Sequence, residues 1–185
     1  MDNIYVIKTL SLAEEYIQLE GEISKYRIPS IKSELQYIDK NGITMGISVN
    51  GGFEIPDIVS QDGVTFISNR FKQVFDEEHI DYLFYKKVNI ISDLFGIHET
   101  FWILIPPRID CLDLDESKID FNWDYENGLI PMFQAEKIVI LKKMLGRFEV
   151  FKIAGIQDNN IYLTEKMCNK LRSLNLEGIE YILIN

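Results

Sequence analysis

Two stretches of this chain match each other at a fixed offset: TFISNRFKQVFDEEHIDYLFY (65–85) and IYLTEKMCNKLRSLNLEGIEY (161–181). Thr65 falls opposite Ile161, Ser68 opposite Thr164, Phe71 opposite Met167, Phe75 opposite Leu171, Ile80 opposite Leu176 and Tyr85 opposite Tyr181. Each stretch reads as a strand, a hydroxyl N-cap, a short helix and a second strand. The hydroxyls coincide because a helix that starts straight after a strand needs an acceptor for its first orphan N–H groups. The apolar positions coincide because each helix has one face to bury on a sheet. Two unrelated units of so generic a pattern would align as well, so duplication stays open. Few other helices are visible. The pattern predicts an α+β fold with mixed or mainly antiparallel sheets, few short helices and two similar strand–helix–strand units, at about 64–90 and 160–185.

The remaining segments are mostly strand-like. IYVIKT (4–9) and ITMGISV (43–49) are rich in β-branched residues, and Asn41-Gly42 marks a turn ahead of the second. Ser11 and Glu14 have capping-box spacing ahead of SLAEEYIQLEGEI and suggest a helix there, although the apolar spacing Leu12, Ile17, Leu19, Ile23 is irregular. Residues 82–91 and 99–105 read as strands, the latter stopped by Pro106-Pro107. Residues 136–143 and 147–153 read as a hairpin around Gly146. The length fits a single domain, 1–185, with 1–60 as a candidate N-terminal lobe.

Hydrophobic residues make up 46% and charged residues 26%, which excludes a disordered chain or a disulfide scaffold. The formal net charge is −10, so most of the surface repels a phosphate backbone and nucleic acid is not an expected partner. Met1–Thr9 lacks the pattern of a signal peptide, and the most apolar run, 101–107, is far shorter than the roughly 20 residues that cross a bilayer. Cys111 and Cys168 have no metal or redox spacing and read as reduced thiols of a cytoplasmic protein with no membrane partner.

The charge is localised. Asp110–Glu126, DCLDLDESKIDFNWDYE, holds seven acids and one lysine. It is either a steering surface for a basic partner or a solvated acidic loop, the commoner fate of charge runs. Within it Phe121, Trp123 and Tyr125 alternate with polar residues, so an extended backbone turns all three rings one way. That face is an interface anchor if exposed and core if turned inward. Asp113, Asp115, Ser117 and Asp124 echo a calcium loop, but Lys118 stands where the sharp turn needs glycine. His79 and His98 have no ligand spacing, and His79 suits the end of the first helix. No nucleophile elbow, phosphate loop, dinucleotide fingerprint or zinc-protease motif is present, so no catalytic residue, metal or cofactor is assigned.

The segments FISNRFKQVFDEEHIDYLFYKKVNI, FWILIPPRIDCLDLDESKI and VFKIAGIQDNNIYLTEKMCNKLRSLNLEGIEYILIN follow an order similar to bacterial immunity proteins of polymorphic-toxin systems. Ser68, Arg70, Asp110, Asp113, Ser117, Phe151, Ile153, Gly155, Thr164, Glu165, Gly178 and Ile179 carry the likeness, which covers about 57–185. The resemblance implies a cytoplasmic, non-catalytic inhibitor of a cognate toxin and transfers no binding residue by position. With the charge pattern it makes Asp113, Asp115, Glu116, Asp120, Trp123, Asp124, Tyr125 and Glu126 the candidate contacts for a toxin with a basic surface. The competing expectations are a small enzyme or ligand-binding domain with a dispersed site, and a mobile-element accessory protein with another binding target.

Overall fold

The computed structural model describes residues 3–10, 16–20, 43–48, 52, 54–61, 63–120, 134–156, 158 and 160–184. They form thirteen strands and two α-helices that group into two compact units. One holds 9–105 and 176–179; the other holds 1–8, 106–175 and 180–185.

In the first unit the strands are β2 (Leu19–Glu20), β3 (Ile43–Ile47), β4 (Ile58–Gln61), β5 (Val64–Ser68), β6 (Phe84–Ser92) and β7 (Ile97–Ile105), with helix α1 (Asn69–Glu77) between β5 and β6. They lie in the order β2-β3-β6-β7-β5-β4. The β3–β6 pair is parallel and the others antiparallel, so the sheet is mixed. Strands β5 and β6 are thus separated in the sheet by β7. Alternation sends Phe66, Val88, Ile90, Phe101 and Ile103 into one buried cluster with Ile43, Met45 and Ile47. Helix α1 buries Phe71, Val74 and Phe75, the rings of Phe71 and Phe75 meeting edge to face at 5.4 Å.

Ser68 caps α1 as its position predicts, its hydroxyl oxygen accepting from Phe71 N–H at 3.1 Å. The same hydroxyl donates to Asp57 Oδ1 at 2.5 Å. Asp57 is 6% exposed. Its Oδ2 accepts from Glu177 N–H at 3.0 Å and lies 3.5 Å from Arg70 Nη1. Its backbone N–H donates to Glu177 O, and its carbonyl accepts from Ser68 N–H. Gly178 follows at φ +75°, its carbonyl accepting from Leu10 N–H. Two segments distant in sequence, 68–70 and 177, are thereby tied to one carboxylate.

The second unit contains β1 (Ile4–Thr9), β8 (Arg108–Ile109), β9 (Lys118–Asp120), β10 (Gln134–Lys137), β11 (Val150–Ile153), β12 (Ile161–Thr164), α2 (Glu165–Arg172) and β13 (Ile179–Ile184). Five strands lie in the order β13-β1-β12-β11-β8, with β11–β8 parallel, and β9 and β10 pair separately. Here β1 separates the two strands that flank α2. Thr164 caps α2 through Met167 N–H, and Met167, Cys168 and Leu171 are buried. Tyr162 stacks on Phe151 at 5.8 Å and donates to Asp158 Oδ2 at 2.6 Å. Burial, then that hydrogen-bonded carboxylate, pushes its phenol up.

Two expectations are corrected. The helix expected after Ser11 is contradicted where the chain is described: Tyr16 bridges Glu54, and Leu19–Glu20 is a strand. Ile17 and Leu19 are buried while Gln18 and Glu20 are exposed, a period of two that accounts for the irregular helical spacing. The hairpin around Gly146 does not form. Lys142–Met144 is a 3₁₀ turn, β10 pairs with β9, and β11 pairs with β12 and β8. Buried Leu145 anchors the turn, and non-local pairing of both flanks replaces the local hairpin. His79 lies beyond α1 at φ +55°, its N–H donating to Asp76 O. The turn expected at Asn41-Gly42 and the aromatic segment 121–125 lie outside the described residues.

Cys111 is buried, and burial, then the nearby Asp110 carboxylate, pushes its thiol up to about 11 from an ordinary 9.0. The folded state favours the neutral thiol. That contribution is complete below about pH 9 and is lost as pH rises toward 11. The native thiol should therefore alkylate at least tenfold more slowly than the urea-unfolded one at about pH 8, as timed iodoacetamide labelling with peptide mapping would measure.

Candidate functional site

The acidic stretch begins as an extended arm and folds into a tight turn. Asp113 does what aspartate does at turn starts: its carboxylate takes local backbone donors. Oδ1 accepts from Asp115 N–H at 3.1 Å and Glu116 N–H at 3.2 Å. Ser117 N–H donates to Asp113 O. The Ser117 hydroxyl donates to Val139 O at 3.3 Å and accepts from Val139 N–H at 2.9 Å. Asp113 N–H also donates to Val139 O. The turn is therefore pinned to the arm that leads out of β10.

That pinning sorts the predicted contacts. Asp115 and Glu116 are exposed, with Leu114 between Asp113 and Asp115 at 65% exposure, while Asp113 is half-buried and occupied by the turn. Asp120 lies in β9 opposite Gln134. Trp123, Asp124, Tyr125 and Glu126 lie outside the described residues. The calcium-loop echo does not assemble from Asp113 and Ser117, because their oxygens are turned to backbone partners. Among the described residues no group of three or more His, Cys, Asp or Glu is placed to hold a metal.

The acidic arm runs antiparallel to a basic one. Leu112 bridges Ile140, Leu141 N–H donates to Cys111 O, and Lys118, Ile119 and Asp120 face Lys137, Ala135 and Gln134. Lys137–Arg147 carries Lys137, Lys142, Lys143 and Arg147 and no acid. The sequence reading singled out the acids and missed this strip. Its signal was there, four bases in eleven residues of an acidic chain, but only the pairing shows that the two arms adjoin.

Displaced titration elsewhere follows packing. Burial lowers Lys152 and raises Cys168, and burial followed by the Asp76 charge raises Tyr85. The residues behind the resemblance also shape the frame. Ser68 and Arg70 meet Asp57, Asp113 and Ser117 build the acidic turn, and Phe151 and Ile153 are core. Gly155 has φ +80°, Thr164 caps α2, and Glu165 accepts from Asn3 N–H and Nδ2 at 3.1 Å.

No curated protein matched the chain. The profile of the immunity protein family Imm11 matches residues 32–185, starting well ahead of the region that carried the resemblance. A match over most of the chain places this protein in the Imm11 immunity protein family.

Proposed function

We propose that this chain is the immunity protein of a polymorphic-toxin system, which binds a cognate toxin domain in the cytoplasm and neutralises it stoichiometrically, without catalysis. Family membership over residues 32–185 is the observation that carries this reading. The whole chain, 1–185, acts as one inhibitory domain. The shared residues stabilise turns and caps, which leaves the exposed surface to be shaped to one toxin. Tyr85 and Tyr181, opposite each other in the internal alignment, each lie beneath a helix cation, Lys72 at 4.7 Å and Arg172 at 5.1 Å. The tyrosines correspond, but Lys72 falls opposite Cys168 and Arg172 opposite Asp76, so the duplicated strand–helix–strand frame is supported by the aligned caps and buried helix faces and not by these cations.

The toxin docks through a basic surface against the acidic turn, where Asp115 and Glu116 are exposed on a backbone already held by hydrogen bonds. Such preorganisation limits the entropy lost on binding, and clustered charge speeds encounter at low salt. Reversing Asp115 and Glu116 to lysine should lower the association rate with the toxin domain by roughly tenfold at low ionic strength, with a smaller loss at about 0.5 M salt. Surface plasmon resonance against the toxin encoded beside this chain measures both. Unchanged rates would remove the acidic turn from the interface.

A further inference from the structure

We propose that Lys118 and Lys137 together seat an acidic side chain of the toxin, so that this surface reads a carboxylate beside a basic patch rather than a basic patch alone. The inference rests on the immunity reading and adds the chemistry by which a partner is recognised.

Lys118 and Lys137 are register partners across β9 and β10. Directly opposed residues have Cβ atoms about 5 Å apart, and like charges there destabilise a sheet. Both side chains are exposed. The register shifts between Ala135 and Lys137, which brings Glu136 into the same step of the ladder, yet neither lysine is ion-paired with it or with any other described carboxylate. Lys72 meets Asp76 at 2.6 Å and Lys166 meets Glu149 at 2.8 Å. Among the described residues Lys86, Lys87, Lys142 and Lys143 form no ion pair either, but Lys118 and Lys137 are the two lysines opposed to each other in a ladder. Arg108 and Lys152 also face each other, but there Arg108 donates to the carbonyls of Ile153 and Ile156, a partnership that Lys118 and Lys137 do not have among the described residues. Unpartnered opposition of like charges is a departure expected where function demands it.

The neighbourhood identifies the occupant. The acidic turn is one step along the same pair of arms, joined through Ser117 and Val139. On the other side the 3₁₀ turn adds exposed Lys142 and Lys143. Negative and positive groups therefore follow each other in fixed order on one hydrogen-bonded framework. A toxin surface fits this order when it presents a carboxylate to the lysine pair and basic groups to Asp115 and Glu116. A uniformly basic surface would meet repulsion from the lysines, which gives discrimination between toxins.

The test separates a functional pair from a tolerated clash. Lys118→Gln, Lys137→Gln and the double variant are compared with the native chain by thermal unfolding and by titration calorimetry against the toxin domain encoded beside it. Relief of repulsion should raise the melting temperature of each single variant by about 1–2 °C. The same variants should bind more weakly, the double variant by at least tenfold, while Lys137→Arg keeps native affinity. Higher melting temperatures with unchanged affinity would overturn the proposal and leave the immunity reading standing. Unchanged or lower melting temperatures would also overturn it, because the lysines would not then be in conflict. A native chain that fails to bind the toxin at all would sink the immunity reading and this inference together.

Discussion

Replacing Gly178 by alanine should lower stability by about 2–4 kcal/mol, a large share of the roughly 5–15 kcal/mol that holds a typical domain. Two effects add. Gly178 has φ +75°, where a side chain is disfavoured by about 1–2 kcal/mol. A Cβ there would sit 2.4 Å from Pro56 Cβ and 3.3 Å from Ile58 O, so the segments must move apart. They are the ones joined by Asp57 N–H to Glu177 O and by Glu177 N–H to Asp57 Oδ2, and movement weakens both bonds. Gly146 is the control. Its φ is +55°, but a Cβ there meets nothing within 4 Å, so Gly146→Ala should show the backbone penalty alone, about 1 kcal/mol. Urea unfolding of both variants checks the difference. Equal losses would mean that the approach of Pro56 to Gly178 is not maintained in solution.

Asp57→Ala is expected to be nearly as damaging, by about 2–4 kcal/mol. Truncation leaves Glu177 N–H without its acceptor, the Ser68 hydroxyl without its receiver and the Arg70 guanidinium without that carboxylate. A buried donor stripped of its partner loses about 1–3 kcal/mol. Arg70 adds little, being well exposed and 3.5 Å away. Ser68→Ala alone removes the α1 cap and one of the same hydrogen bonds, about 1–2 kcal/mol. Because the two residues share a bond, the double variant should lose less than the sum, with a coupling of about 1 kcal/mol in a double-mutant cycle followed by urea unfolding. Strict additivity would mean that Ser68 and Asp57 act independently.

The sequence was informative where structure is local. Ser68 and Thr164 announced their caps because an N-cap is decided within three residues. The strands at 43–47, 97–105 and 179–184 followed from β-branched runs and their stops. Non-local choices were hidden. Residues 138–141 are apolar enough for either hairpin or arm, and only the pairing with Cys111, Leu112, Asp113 and the Ser117 hydroxyl decides for the arm. Asp57 gave no sign of its importance, since its partners come from residues 68–70 and 177, far along the chain. The acidic turn was legible as charge but not as geometry. That Asp113 is taken up by the turn while Asp115 and Glu116 are left exposed depends on backbone donors that composition does not reveal.

The central claim is that this chain protects by occupying another protein. The most direct measurement is survival of cells expressing the toxin domain encoded beside it, with and without this chain, together with the mass of the purified mixture. The account predicts full rescue of growth and a complex containing one copy of the chain for each toxin. Rescue at a small fraction of the toxin's molar amount, with no complex formed, would contradict it and point to catalysis.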